Sequence, residues 1–139
     1  DYKLAWMKRL QKRAEELLAL EEPFFMAGDY NVIPQDEDAA KPEVWREDAL
    51  ALPQSRDAFR QLLALGLTEA FRVQTQGGGH YSFWDYQAGA WQRNNGIRID
   101  HFLLSPECAD LMVKCEIQAE LRGREKPSDH VPVWLELDL

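Results

Sequence analysis

The chain has 139 residues, of which 45% are hydrophobic and 29% charged, and its formal net charge is −8. This is the profile of one folded globular domain with a single core, rather than of a disordered or membrane chain. No apolar run approaches the ~20 residues of a membrane helix, so no membrane partner is expected.

The opening Asp1-Tyr2-Lys3 has neither a basic nor an apolar leader region, and no signal peptide is expected. Two cysteines, Cys108 and Cys115, fit a reduced cytoplasmic protein and read as small buried hydrophobes. The acid excess runs against the basic footprint of a nucleic-acid binder. Local charge and bound cations weigh more than the sum, however.

Residues 3 to about 20 carry Leu4, Met7, Leu10, Ala14, Leu17 and Leu18 at three- and four-residue spacing, which predicts an amphipathic helix stopped by Pro23. The run Phe24 to Gly28 predicts a buried strand. It delivers Asp29 and Asn31, whose two-residue spacing places both on one side of an extended chain. Residues 34–52 read as an irregular, proline-broken loop. A second helix is expected from Ser55, as N-cap, to Leu65, followed by an extended segment from Leu67 to Val73.

Gly77-Gly78-Gly79 lacks the following Lys-Ser/Thr of a phosphate-binding loop. Tyr81-Ser82-Phe83-Trp84-Asp85-Tyr86 reads as an aromatic strand, suited to packing or to stacking on a base or sugar. Residues 87–96 read as a polar hairpin loop and 97–104 as a strand with Arg98 and Asp100 on one face. Ser105-Pro106 opens a short helix to about Met112. Strands are expected over 113–119 and 131–137. Between them lies a basic loop with Arg122, Arg124 and Lys126, then Ser128-Asp129-His130.

Three strand ends thus present Asp29 with Asn31, Asp100, and Asp129 with His130. Gathered carboxylates repel unless a cation or hydrogen bond compensates, and a hard divalent ion with oxygen ligands is the natural one. An imidazolium oriented by a carboxylate can donate to a phosphoryl oxygen, while a further Asp aligns and deprotonates water. The chemistry this set proposes is metal-assisted phosphodiester hydrolysis.

Four segments carry a family resemblance: Gly28-Asp29-Tyr30-Asn31, Tyr81 to Tyr86, Arg98-Ile99-Asp100-His101, and Glu125 to Val133. In order and spacing they resemble the motifs of exonuclease III, the abasic-site endonuclease branch of the endonuclease/exonuclease/phosphatase superfamily. The resemblance implies an α/β fold: half of a four-layer αββα sandwich, with one mostly antiparallel or mixed sheet and helices on one face. All of 1–139 would be the carboxyl-terminal half of that domain.

The resemblance also implies roles. Asp29 would activate the water and Asn31 would help position it. His130 would bind the scissile phosphate and Asp100 would hold His130. Asp129 would join the site of Mg²⁺ (or Mn²⁺). Phe83 and Trp84, with Ile97 and Ile99 as further apolar wall, would lie at the pocket for an extruded abasic sugar. Arg93 and Asn94 would touch the DNA. Ile97 stands where many relatives carry Trp, which bears on abasic selectivity more than on cleavage. The implied substrate is double-stranded DNA with abasic sites or 3′ ends.

The family's other half supplies an Asn, a metal-binding Glu and a catalytic Tyr, and nothing before Asp29 is expected to match them. The fragment alone is therefore expected to be inactive, to need the missing amino-terminal half as partner, and to form a homodimer through its uncovered sheet. A DNA-facing patch of Arg93, Arg98, Arg122, Arg124 and Lys126 is a further expectation, against a scattered basic surface. Two alternatives stand beside the nuclease. One is a phosphatase or phosphodiesterase of the same superfamily acting on small-molecule or lipid phosphates; the other is a non-catalytic binding module.

Overall fold

A computed structural model describes all of residues 1–139. Helix α1 (Tyr2–Leu18) is capped by Asp1, whose carboxylate accepts the Lys3 N–H at 2.8 Å. Met7 and Ala14 of α1 are buried, and α1 packs on α3 (Pro53–Ala64) through Phe59 and Leu62. Tyr30, Val32, Leu67 and Leu103 complete this main core. Helix α3 begins three residues earlier than the Ser55 cap predicts, with Leu52 at the cap position. Pro53 occupies the first turn, where its missing N–H is harmless, and Ser55 Oγ donates instead to the Ala49 carbonyl at 2.8 Å. The proline-rich stretch before α3 holds one 3₁₀ turn (Asp36–Asp38) and a single helical turn, α2 (Pro42–Trp45).

Strand β1 (Phe25–Asp29) pairs antiparallel with β3 (Asp100–Leu104), and β3 pairs antiparallel with the two-residue β2 (Thr68–Glu69). The sheet order is β1-β3-β2. Strand β1 is thus an edge strand and is largely exposed, with Phe25 49% accessible, rather than buried. The extended segment predicted over 67–73 turns helical after two residues. Glu69 caps α4 (Ala70–Gln74), its carboxylate accepting the Arg72 N–H at 2.6 Å.

A second antiparallel pair joins β4 (Met112–Ile117) to β5 (Val133–Leu137), with an irregularity between Met112 and Lys114. Ser105 caps α5 (Pro106–Ala109), and Cys108 and Cys115 are free and buried beside Phe71 and Leu104. The strands therefore form two small antiparallel sheets with helices, a mixed α/β fold. No helix is long and apolar enough to cross a membrane.

The aromatic segment 81–86 is not a ladder strand. Its pairing is by isolated bridges, Phe83 to Ile97 and Phe83 to His130. Tyr81, Trp84, Ala90 and Val131 form a separate small core under the 87–96 turns.

Candidate active site

The register of β1 on β3 places Asp29 directly opposite Asp100. Two like charges across an antiparallel pair are unfavourable unless something intervenes. His130 does. Its Nδ1–H donates to Asp100 Oδ2 at 2.9 Å, and its Nε2 lies 3.6 Å from Asp29 Oδ2. One donor atom from each of Asp29, Asp100 and His130 falls within 4.8 Å of the others. Three segments far apart in sequence thus converge at one rim of the sheet.

Local structure explains the aim of each group. Ser82 is fully buried, and its Oγ accepts the backbone N–H groups of Ile99 (3.1 Å) and Asp100 (3.2 Å), while its carbonyl accepts the Val131 N–H at 2.9 Å. One serine therefore ties together the segments that carry Asp100 and His130. Ser128 Oγ accepts the His130 N–H at 3.2 Å. The Phe83 ring meets the imidazole edge-on, with centroids 5.1 Å apart. Asn31 does not continue the strand. It sits past the end of β1 with φ 51°, and its N–H donates to Asp29 Oδ1 at 2.9 Å. Asp29 and Asn31 still line one cavity of about 230 Å³, because this turn brings them together where strand alternation would have ended.

The electrostatics follow the geometry. Burial pushes the Asp29 carboxyl up; the Asn31 N–H opposes this, the nearby Asp100 charge adds to it, and His130 also lowers it. For His130, burial disfavours the charged ring. The hydrogen bond that the ring donates to Asp100 and the charges of Asp100, Asp29 and Asp129 outweigh burial, so the imidazole holds its proton to higher pH than usual.

Other residues expected at the site are placed differently. Asp129 is half-buried and its backbone carbonyl accepts the Trp84 N–H at 2.9 Å, but its carboxylate is outside the three-residue cluster. Trp84, Ile97 and Ile99 are 2%, 1% and 3% exposed, so they pack in the interior, and Phe83 is the apolar residue that touches His130. Asn94 accepts the Trp84 Nε1–H at 3.0 Å through its side-chain oxygen, bracing the buried indole, while Arg93 is exposed.

Two members of the expected basic patch are interior. Arg98 is 1% exposed and pairs with Asp38 and Glu69; Arg122 is 7% exposed and donates to the Trp84 and Asp85 carbonyls. Buried guanidinium groups need such partners, so neither is free to face DNA. The reading also missed the start of α1: Tyr2 and Lys3 line the cavity of Asp29 and Asn31. Nothing in their spacing signals this, because the contact is made across 28 residues.

A family model described as the Endonuclease/Exonuclease/phosphatase family matches residues 1–130. The chain belongs to that family. An exodeoxyribonuclease of Bacillus subtilis is 36% identical over the whole of the chain and 54% of that relative. Among solved structures, a 3′ phosphatase from Neisseria bound to a product DNA hairpin superposes with a TM-score of 0.92 at 34% identity, covering 99% of this chain and 54% of that one. An AP endonuclease from Archaeoglobus fulgidus gives a TM-score of 0.89 at 30% identity, with 99% and 54% covered. The chain thus spans about half the length of these relatives and corresponds to their carboxyl-terminal portion. Their match confirms the expected α/β fold.

Proposed function

We propose that the complete protein containing this chain hydrolyses phosphodiester bonds in double-stranded DNA, at abasic sites and 3′ ends, as a Mg²⁺-dependent (or Mn²⁺-dependent) repair nuclease. One observation carries the reading: Asp29, Asp100 and His130 converge within 4.8 Å, on a chain whose relatives include an exodeoxyribonuclease and an AP endonuclease.

The roles follow from the contacts. Asp29 Oδ1 is occupied by the Asn31 N–H, and its Oδ2 faces His130. Oδ2 is the base that takes the proton of the attacking water, with the Asn31 amide as a second polar group for that water. His130, kept protonated by Asp100, donates from Nε2 to a non-bridging phosphoryl oxygen. The new bond joins the water oxygen to phosphorus, and the bond to the leaving oxygen breaks. Phe83, against His130, offers an apolar face for the sugar. Arg93 and Asn94, on the exposed loop, are the proposed DNA contacts, and Trp84, Ile97 and Ile99 support that wall from within.

The donor chemistry fits a hard cation. The Asp129 carboxylate makes no protein hydrogen bond or ion pair and would hold Mg²⁺, which typically takes one or two carboxylates plus water and phosphate oxygens. Bound there, the ion would neutralise phosphate charge.

The proposed partner is the amino-terminal half of the same protein. Strand β1 has an unpaired edge, and a cavity of about 260 Å³ lies open between Gly28, Asp100, Phe102 and Val133. Without that half, the same exposed face would pair two copies of the chain. The test is nicking of an abasic duplex with Mg²⁺, by the chain alone and with the other half supplied. Activity only in the combined sample is expected. An inert combined sample, with Mg²⁺ and Mn²⁺ both tried, overturns the proposal. Lipid and inositol phosphates in the same assay test the small-molecule alternative.

A further inference from the structure

The Asp29-Tyr30-Asn31 turn depends on a contact that the roles above do not use. Asn31 holds φ 51°, a left-handed conformation that Asn tolerates better than most residues but that contacts still have to select over the extended one. The Lys3 ammonium, from the first turn of α1, donates to the Asn31 carbonyl at 2.6 Å and to the Ala49 carbonyl at 3.0 Å. Two of its three N–H groups are thereby spent on backbone. Tyr30, between the two site residues, is anchored separately. Its N–H donates to the Ile99 carbonyl at 3.0 Å and its hydroxyl to the Met26 carbonyl at 2.8 Å. The turn is pinned from both sides, and Lys3 is the one side-chain cation in the pinning.

The consequence reaches the carboxylate. Asp29 Oδ1 accepts the Asn31 N–H, which leaves Oδ2 turned to His130. Were Asn31 released from its left-handed conformation, Oδ1 would lose its donor and the carboxylate would be free to rotate about χ2. We propose that Lys3 is a positioning residue: by holding the Asn31 carbonyl it fixes the rotamer of Asp29 and keeps one oxygen aimed at the reacting site. The kinetic part of this proposal rests on the nuclease reading; the structural part does not. Burial lowers the affinity of the Lys3 ammonium for its proton, while Asp48 and Asp29 raise it.

The test compares Lys3→Met, which keeps the aliphatic stem, with Lys3→Arg, which restores a cation with several donors. In the chain itself, hydrogen exchange at the Asn31 amide reports the turn directly. Loss of a charged hydrogen bond is expected to speed that exchange about tenfold or more in Lys3→Met, with recovery in Lys3→Arg. In the complete protein, Lys3→Met is expected to lower kcat by about tenfold with KM unchanged, and Lys3→Arg to recover part of it.

Unchanged Asn31 exchange in Lys3→Met overturns the proposal, as does a rise in KM at constant kcat, which would mean that Lys3 touches the substrate itself. If exchange responds as expected while even the unsubstituted complete protein cleaves no DNA, the clamp stands and the nuclease reading fails. The two failures are therefore separable. Circular dichroism of each variant shows whether α1 persists, so that a collapsed helix is not read as a released turn.

Discussion

Two clusters of the same chemistry meet at the start of β3, one through Asp100 and the other through His101, and they behave as opposites. At the rim, Asp29, Asp100 and His130 are each partly accessible, with His130 and Asp29 side chains 33% and 36% exposed. Beneath, Arg98, Asp38, Glu69 and His101 are all under 10% exposed. In the buried cluster nearly all the charged and polar groups are mutually occupied, the Arg72 Nε being the exception. Arg98 Nε donates to Asp38 Oδ1 at 2.8 Å and its Nη1 to Glu69; Arg72 adds bonds to Asp38 and Glu69; His101 Nε2 donates to the Val32 carbonyl at 3.0 Å. At the rim Asp29 and His130 stand 3.6 Å apart, beyond a hydrogen bond, so each has an atom left for a ligand. Dense pairing in a dry interior holds a fold; open pairing at a wet edge leaves capacity for chemistry.

The largest expected effect comes from breaking the rim. His130→Gln removes the proposed acid, and in the complete protein it should cost about 10²- to 10⁴-fold in turnover on abasic duplex DNA. The thermal midpoint of the chain should move little, because the ring is a third exposed and its loss leaves no buried cavity. Steady-state nicking and a melting curve check both halves. A large drop in melting temperature with turnover preserved would erase the contrast.

The reverse pattern is expected from Arg98→Met. It strands the Asp38 and Glu69 carboxylates in the interior without their main cation, at a cost of about 3–5 kcal/mol in stability, measurable by urea unfolding. Arg98→Lys should not restore it, since one ammonium cannot reach both carboxylates with the fixed fork of a guanidinium.

The two clusters should also respond to pH in opposite directions. For Glu69, burial alone would raise the carboxyl above its usual 4.5, but His101 and Arg98 overcome this and hold it down to about 2. A depressed folded value gives stability that is present above 4.5 and lost as pH falls toward about 2. His130 is raised above 6.5 in the folded chain. Its contribution is therefore complete below 6.5 and lost as pH rises through the folded value. Urea midpoints across the two windows test this. Arg98→Met should flatten the acid limb and Asp100→Asn the limb above 6.5.

How much of this was legible in the sequence depended on whether the signal was local. Periodicity identified α1 and the alternating strand that contains β3, and an apolar run marked the position of β1, though not its exposure. The acids and imidazole of the rim could be named because each lies at or just outside one end of a strand: Asp29 closes β1, Asp100 opens β3, and His130 precedes β5. Arg98 was the instructive failure. Counted as a strand residue, it shares a face with Asp100; but the ladder begins only at Asp100, so alternation does not apply at 98, and its partners lie 60 and 29 residues away. Segment 81–86 failed for a related reason. Its aromatics have high strand propensity, yet Phe83 meets Ile97 and His130 one bridge at a time, and tertiary packing overrides propensity. Lys3 and Ser82 act by holding backbone atoms of distant segments, which no spacing rule reveals.

The smallest expected effect extends the comparison to the solvent. Arg13 and Glu16 on α1 form an ion pair at 3.1 Å, with side chains 63% and 52% exposed. The distance resembles that of Arg98 to Asp38, so a count of salt bridges would rank the two alike. Water and salt screen the exposed pair, and two long side chains lose rotamer freedom to make it. Arg13→Ala should therefore change stability by no more than about 0.5 kcal/mol. Whatever effect there is should vanish at high ionic strength, whereas the Arg98→Met loss should persist there, because bulk ions do not reach the interior. A salt-independent loss of more than about 1 kcal/mol in Arg13→Ala would show that burial is not what separates these pairs.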